Sequence, residues 1–206
     1  MIVFFAPPQL FPNLKFFWSI LRSDVWLVID HQNYKTTSPE RICRFKMPKH
    51  IVNVRIPVIR HLDVPQLVYQ TKINNFVRWK EPFLSVIKIC YQDRDYFTNI
   101  MPSIEYYIKG PCFLLETFDM QTTFYILSLF KKMPEIYYSK NYFKDETKKE
   151  VIDTFCSLVN GESLDSTQFN HPIYKQSTKH FIKNLSILDA LFNIGPEQTH
   201  KILLNT

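Results

Sequence analysis

Directly after the apolar run VWLVID the chain reads HQNYKTTSPERICRF, from His31 to Phe45. An imidazole, two amides, a phenol, hydroxyls and three cationic groups are gathered in fifteen residues. A histidine at a strand end can act as a general base near neutral pH. Arg41 and Arg44 offer guanidinium forks that suit phosphate or carboxylate. The same residues could equally form a polar loop that satisfies strand-end backbone groups. A second polar and aromatic stretch, FNHPIYKQSTKH, holds His171, Tyr174, Gln176 and His180, and reads either as a surface loop or as part of a site. A third pair, Asp189 and Asn193, stands four residues apart on an expected helix beside an apolar stripe, either as a site edge or as a solvated one.

Other chemistries are poorly served. Only three glycines are present, Gly110, Gly161 and Gly195, too far apart for a dinucleotide fingerprint or a Walker loop. The four cysteines, Cys43, Cys90, Cys112 and Cys156, make no CxxC pair, so their spacing offers no zinc site. Cys90 and Cys156 read as buried small hydrophobes, and a reducing compartment follows. Cys43 could pair with His31 only if its thiol were acidified, and nearby arginines alone would have to do that. No recognisable Ser-His-Asp order is present, and the sequence names no cofactor or metal.

The elements that must position these groups follow from periodicity. IVFFA is a buried strand ending at Pro7-Pro8. Leu14, Phe17, Trp18 and Leu21 form the apolar stripe of a helix, and VWLVID is a second buried strand. Strand, helix, strand in about thirty residues predicts a parallel βαβ unit. Its loops, Pro7–Phe11 and His31–Arg44, then leave the carboxyl ends of adjacent strands, where open α/β sheets bind ligands. HIVNVRIPVI and QLVYQTKI read as further strands. Helices are expected after Glu81-Pro82, over TNIMPSIEYYIK up to Gly110-Pro111, and over TFDMQTTFYILSLFKK. EIYYSKNY reads as an edge strand, and a helix is expected from Asp145 to Leu158. Near the end, Asn184 is the expected cap of LSILDALFN, Gly195 supplies a turn, and Pro196 starts a last helix. Trp79, the aromatics at 16–18 and Tyr106-Tyr107 read as packing. The expected class is α/β: an N-terminal βαβ unit in a mixed, partly parallel sheet, several helices, and a helical C-terminal part, all in one domain over residues 1–206.

With 206 residues, 46% of them hydrophobic and 16% aromatic, the chain can build a real core. The formal charge of +6 favours a phosphate-bearing partner such as a nucleotide-sugar, a coenzyme, RNA or an anionic lipid surface. Lys131 to Glu150 carries six lysines against four acids and reads as a solvated face rather than a nucleic-acid patch. The apolar N-terminus lacks a basic region and meets prolines early, so no secretory signal is expected. No segment reaches the roughly 18 apolar residues of a membrane span, and a cytoplasmic location is expected.

PPQLFPNLKFFWSILRSDVWLVIDHQNYKTTSPERICRF, then Trp79 with CYQDRDYF, then HPIYKQ and FIKNLSILDALFNIGPE, resemble in order the WbqC-like protein family, in the form common in Bacteroidetes. That resemblance implies a role beside genes for O-antigen, the polysaccharide part of lipopolysaccharide, and other surface polysaccharides. It also implies a transferase that puts glycine or another acyl group on a nucleotide-linked amino sugar. His31 and Asp189 are then the candidate catalytic residues. Asn33, Tyr34, Arg41, Arg44, Tyr174, Gln176 and Asn193 are the candidate substrate-binding ones. Three positions depart from the family pattern: Ala6-Pro7-Pro8 replaces His-Gln-Pro, Glu40-Arg41-Ile42 replaces Asn-Arg ahead of Cys-Arg, and Phe83 replaces a histidine. These departures keep a second expectation alive, a non-catalytic member that binds a protein, a glycan intermediate or RNA.

Overall fold

The computed structural model describes residues 1–37, 39–60, 64–144, 146–176 and 180–206, the side chain of Pro39 excepted. Strand β1 (Ile2–Ala6), helix α1 (Leu14–Leu21) and strand β2 (Val25–Val28) form the expected βαβ unit. β1 and β2 pair in parallel, Val3 beside Val25 through Ala6 beside Val28. Asn13 caps α1 by accepting from the Phe16 N–H at 3.2 Å. Strand β5 (Glu135–Tyr138) pairs in parallel with β2, and the two-residue β6 (Glu162–Ser163) pairs in parallel with β1. The sheet order is therefore β5-β2-β1-β6, with EIYYSKNY supplying an edge as expected.

Strand order and the hand of crossovers decide where the helices go. The chain steps outward from β1 to β2 to β5, then returns past both to β6. Right-handed crossovers in opposite directions put their helices on opposite faces. Accordingly α5 (Lys148–Val159), between β5 and β6, packs on Val3, Val25, Leu27 and Ile29. Ala6, Trp26 and Val28 point the other way, into the main core with α1. Val25, Trp26, Leu27 and Val28 are all fully buried, the alternation of a strand covered on both sides.

The main core continues through α2 (Lys80–Tyr91), α3 (Phe97–Lys109), α4 (Leu115–Leu129) and α6 (Ile187–Leu204). Within α6 the backbone breaks at Gly195, with φ 78° and ψ 168°, so the sequence reading of two helices around Gly195-Pro196 holds. Trp79 packs edge-on against Phe83 and Phe118, as expected of a core residue.

Several expectations change. The expected α/β class, βαβ unit and helical C-terminal part hold; in detail, the four strands of the sheet are all parallel and the antiparallel pairing lies in a separate hairpin, β3 (Ile42–Lys46) with β4 (Ile51–Arg55). The stretch after His31 is thus loop only as far as this hairpin; Ile42 to Lys46 alternates inward and outward as a strand does. QLVYQTKI is not a strand. It makes isolated bridges to three different partners, Leu67 with Asn33, Lys72 with Leu114 and Ile73 with Val58, around a 3-10 turn at Val68–Gln70. Its apolar residues plug gaps between elements instead of lining a ladder. The cap of α6 is Ser186, whose Oγ accepts from the Leu188 N–H at 3.2 Å; Asn184 sits before it at φ 59°. The helix expected from Asp145 begins at Lys148, capped by Thr147 and Glu150 in a reciprocal box; Asp145 lies outside the described residues. Cys90 is buried, but Cys156 is partly exposed.

Candidate functional site

Asp30 and His31 leave the carboxyl end of β2, and Ser139 and Lys140 leave that of its neighbour β5. Parallel pairing brings the two exits together. His31 Nδ1 lies 2.6 Å from Ser139 Oγ, and Ser139 Oγ lies 2.9 Å from Asp30 Oδ1. The Asp30 amide N–H also donates to Ser139 Oγ at 3.1 Å. A hydroxyl has one proton to give. Donated to the Asp30 carboxylate, it leaves Ser139 Oγ as the acceptor for a protonated Nδ1 of His31. Nε2 then carries the lone pair, and Asp30 Oδ2 has the Lys140 ammonium 3.1 Å away. Once Nε2 is protonated, its N–H can donate a hydrogen bond to the Glu146 carbonyl, 3.4 Å away. His31 is held as an orienting residue holds a general base.

The loop is fixed from the other side by residues 66–70. The Val68 and Tyr69 N–H groups donate to the Gln32 and Asp30 carbonyls, and the Tyr34 N–H donates to the Gln66 carbonyl. Between this segment and the start of α5 lies a polar pocket of about 330 Å³, lined by Ile29, His31, Gln32, Asn33, Leu67, Lys144, Glu146 and Lys148. The sequence reading assigned Lys131 to Glu150 to a solvated face, yet three of its lysines surround His31. Lys144 and Lys148 line the pocket, and Lys140 stands behind it. Lys140 Nζ is 3.1 Å from Asp30 Oδ2 and 2.9 Å from Glu116 Oε1, with the Tyr138 and Tyr69 rings 4.9 and 5.4 Å from it. Burial opposes the charge of Lys140, but the bonds to Glu116 and Asp30 outweigh it and raise its pKa. Burial raises the pKa of Glu116 in spite of that lysine.

Deeper in, α4 turns an acidic stripe toward the same region. Asp119 is fully buried, and neither carboxylate oxygen has a hydrogen-bond partner among the described residues. Burial, reinforced by the Glu40 and Glu116 carboxylates, pushes Asp119 well above the ordinary carboxylate range. The neutral acid is the form this setting favours. The Tyr34 hydroxyl is buried with no hydrogen-bond partner among the described residues, and burial raises its pKa against the pull of Arg41.

The remaining predicted residues lie elsewhere. Arg41 donates from Nε to the Thr36 carbonyl at 3.2 Å, and the Arg44 carbonyl on β3 accepts from the Ser186 N–H at 2.9 Å. Tyr174 Oη donates to Asp189 Oδ2 at 2.7 Å, and Gln176 Nε2 reaches the same oxygen at 3.1 Å. Gln176 also exchanges bonds with both backbone groups of Ile182, across Ser177 to Lys179, which lie outside the described residues. Asn193 donates to the Asp189 carbonyl at 2.7 Å. Burial raises the Asp189 carboxyl, with Tyr174, Gln176 and the Arg94 charge pulling the other way. The expectation of a single crevice is therefore corrected. His31 and Asn33 share a pocket, whereas Tyr174, Gln176, Asp189 and Asn193 bond to one another, and no described hydrogen bond or pocket lining joins the two groups. The Cys43–His31 pairing also fails: Cys43 Sγ faces the Phe11 carbonyl at 3.9 Å, and burial pushes its thiol far up. Among the described residues, no three of His, Cys, Asp and Glu are grouped to hold a metal ion.

Set against known families, residues 7–169 and 158–201 match the WbqC-like protein family. The chain belongs to the WbqC-like family. No curated protein and no solved structure matches it. This WbqC-like chain has no described helix long and apolar enough to cross a membrane. The matched span includes both the His31 pocket and the Tyr174–Asp189 cluster. The signal that could have singled out the lysines was their position, Lys140 and Lys144 after an edge strand and Lys148 at the start of the helix that Thr147 caps.

Proposed function

We propose that this WbqC-like chain is a transferase of surface-polysaccharide biosynthesis, placing an acyl or aminoacyl group on the amino group of a nucleotide-linked sugar. The observation that carries the reading is the Asp30–Ser139–His31 relay opening into a polar pocket flanked by Lys144 and Lys148. The attacking amine bonds to the carbonyl carbon of an activated acyl donor and gives its proton to His31 Nε2. The bond from that carbon to the leaving group then breaks, and His31 returns the proton to the leaving group. Asp30, through Ser139, keeps the imidazole in the tautomer this needs. Lys144 and Lys148 take the phosphates, and Asn33 and Gln32 offer amides to the sugar. Tyr174, Gln176, Asp189 and Asn193 hold the tail against the core.

The test has two readouts. A thermal-shift screen with nucleotide-sugars, coenzyme A and polyanions should show a specific shift with a nucleotide-linked amino sugar that survives moderate salt. Mass spectrometry of the best binder, incubated with acyl donors, should show amide formation. His31→Gln should lower turnover about 10²- to 10⁴-fold while the shift remains. The double variant Lys144→Glu, Lys148→Glu should weaken the shift. Turnover unchanged in His31→Gln would remove the assigned base.

A second reading, binding without turnover, draws on one feature. Phe83 is fully buried against Phe11, Phe45 and Trp79, where the family resemblance places a histidine. A specific shift with no amide product under any donor would favour it.

A further inference from the structure

Two loops outside the lining of the His31 pocket carry large apolar side chains into solvent. Phe76, in the turn before α2, is 95% exposed, and its neighbour Val77 is 48% exposed. Phe113, between α3 and α4, is 73% exposed. The loops are tied together by backbone: the Ile73 N–H donates to the Phe113 carbonyl at 2.8 Å, and Asn75 Nδ2 donates to the Cys112 carbonyl at 2.7 Å. Lys80 Nζ further bonds the Lys109 and Gly110 carbonyls. The pair of tips is thus one rigid feature.

Its surroundings are basic. Lys72, Arg78 and Lys109 are exposed around it, and Lys80 lines the space between the tips. Among the described residues Glu105 pairs with Lys88 and Lys109, so Lys109 is spent with it, and Glu81 stands in the charge balance against Lys72, Arg78 and Lys80. Between the tips runs an open groove of about 340 Å³, lined by Val77, Arg78, Lys80, Glu81, Pro111 and Phe113 among others. Burying such residues in a folded chain would have been favourable; leaving three of them standing out, Phe76 almost wholly, calls for another phase to receive them.

We propose that this double tip docks the protein on an anionic bilayer surface, with Phe76, Val77 and Phe113 entering the headgroup–acyl boundary and Arg78 and Lys72 meeting lipid phosphates. The observations favour a bilayer over a folded partner. Protruding side chains on separate loops would each need a pocket in a rigid surface, whereas a fluid interface admits them in any arrangement. The ring of cations fixes the sign of the lipid, since each juxtamembrane cation gains from a negative surface potential. The groove beside Arg78 leaves space for a headgroup between the inserted tips. This surface is independent of the transferase reading.

Co-flotation of the full chain with vesicles tests it. Binding is expected to vesicles of phosphatidylglycerol and phosphatidylcholine, and not to phosphatidylcholine alone. The exposed positions allow substitution without loss of the fold, which circular dichroism checks. Phe76→Ser with Phe113→Ser should weaken partition about tenfold or more, and Arg78→Glu with Lys72→Glu should abolish the preference for the anionic lipid. Absence of binding to the anionic vesicles overturns the proposal. So does binding that the double phenylalanine variant leaves unchanged, because that is plain adsorption of a basic protein.

Discussion

Asp119 sets a protonation problem that the protein solves at a stability cost. Its folded-state pKa is raised by burial and by the Glu40 and Glu116 charges, while in the unfolded chain it ionises in the ordinary range. Well below pH 4 both states hold the proton and the cost vanishes. As the pH rises through that value the unfolded chain ionises freely and the folded chain does not, so stability falls until the folded group also ionises. Asp119→Asn keeps the shape and removes the charge. Denaturant unfolding at pH 5 and pH 8 should show the wild type losing more stability across that interval than the variant. Equal losses would mean that Asp119 is ionised in the fold. At this scale the sequence was only half legible. His31 and Asn33 announced themselves by following a buried strand. Glu116, Asp119 and Thr123 did not, because a helix reader expects three polar residues on one face to meet water, and α4 buries all three. Lys144 and Lys148 were hidden by the reverse assumption about runs of charge.

At the scale of elements, the break in α6 shows how a turn residue becomes a packing residue. Gly195 adopts φ 78° and ψ 168°, a region that side chains avoid, and a Cβ there would lie 2.5 Å from the ring of Tyr96. Gly195→Ala therefore meets both backbone strain and a rigid ring. It should cost about 2–4 kcal/mol, read as a drop in Tm of roughly 5–15 °C. A wild-type Tm in this variant would show that the break can straighten. The glycine and proline were plain in the sequence, and so were α1, α2 and α3, because local rules set them. The 66–73 segment was misread since its β-branched and aromatic residues are needed for plugging, and only tertiary neighbours distinguish a plug from a strand. The α6 cap was misplaced for a similar reason. Ser186 Oγ also donates to the Phe11 carbonyl at 2.9 Å, a partner 175 residues away that no local pattern could supply.

The whole molecule is closed by its tail. Asn13 bridges Ser186, the Ile187 N–H donates to the Pro12 carbonyl at 2.8 Å, and Arg22 reaches the Leu204 carbonyl at 3.1 Å. Ile187, Leu188, Leu191 and Phe192 are fully buried in the main core. Deleting residues 184–206 should expose the apolar faces of α1 and α2 and abolish cooperative unfolding, seen as a broad denaturant transition and binding of a hydrophobic dye. A sharp transition in the truncated chain would show the tail to be an appendage. The class of fold and the opening βαβ unit could be read from periodicity, but not the strand order, because β5 and β6 join the sheet only after long excursions of the chain.

Those excursions govern how the protein is made. β1 and β2 are made close together, yet β2 waits more than a hundred residues for β5, and β1 waits for β6 at Glu162. Until β5 arrives, a nearly all-apolar ribbon has two unsealed margins, and α1 lacks the part of its cover that α6 supplies until that helix is made. Synthesis of this chain thus passes through a long sticky stage, and its yield in a cell should depend on chaperone capacity more than its finished stability would suggest.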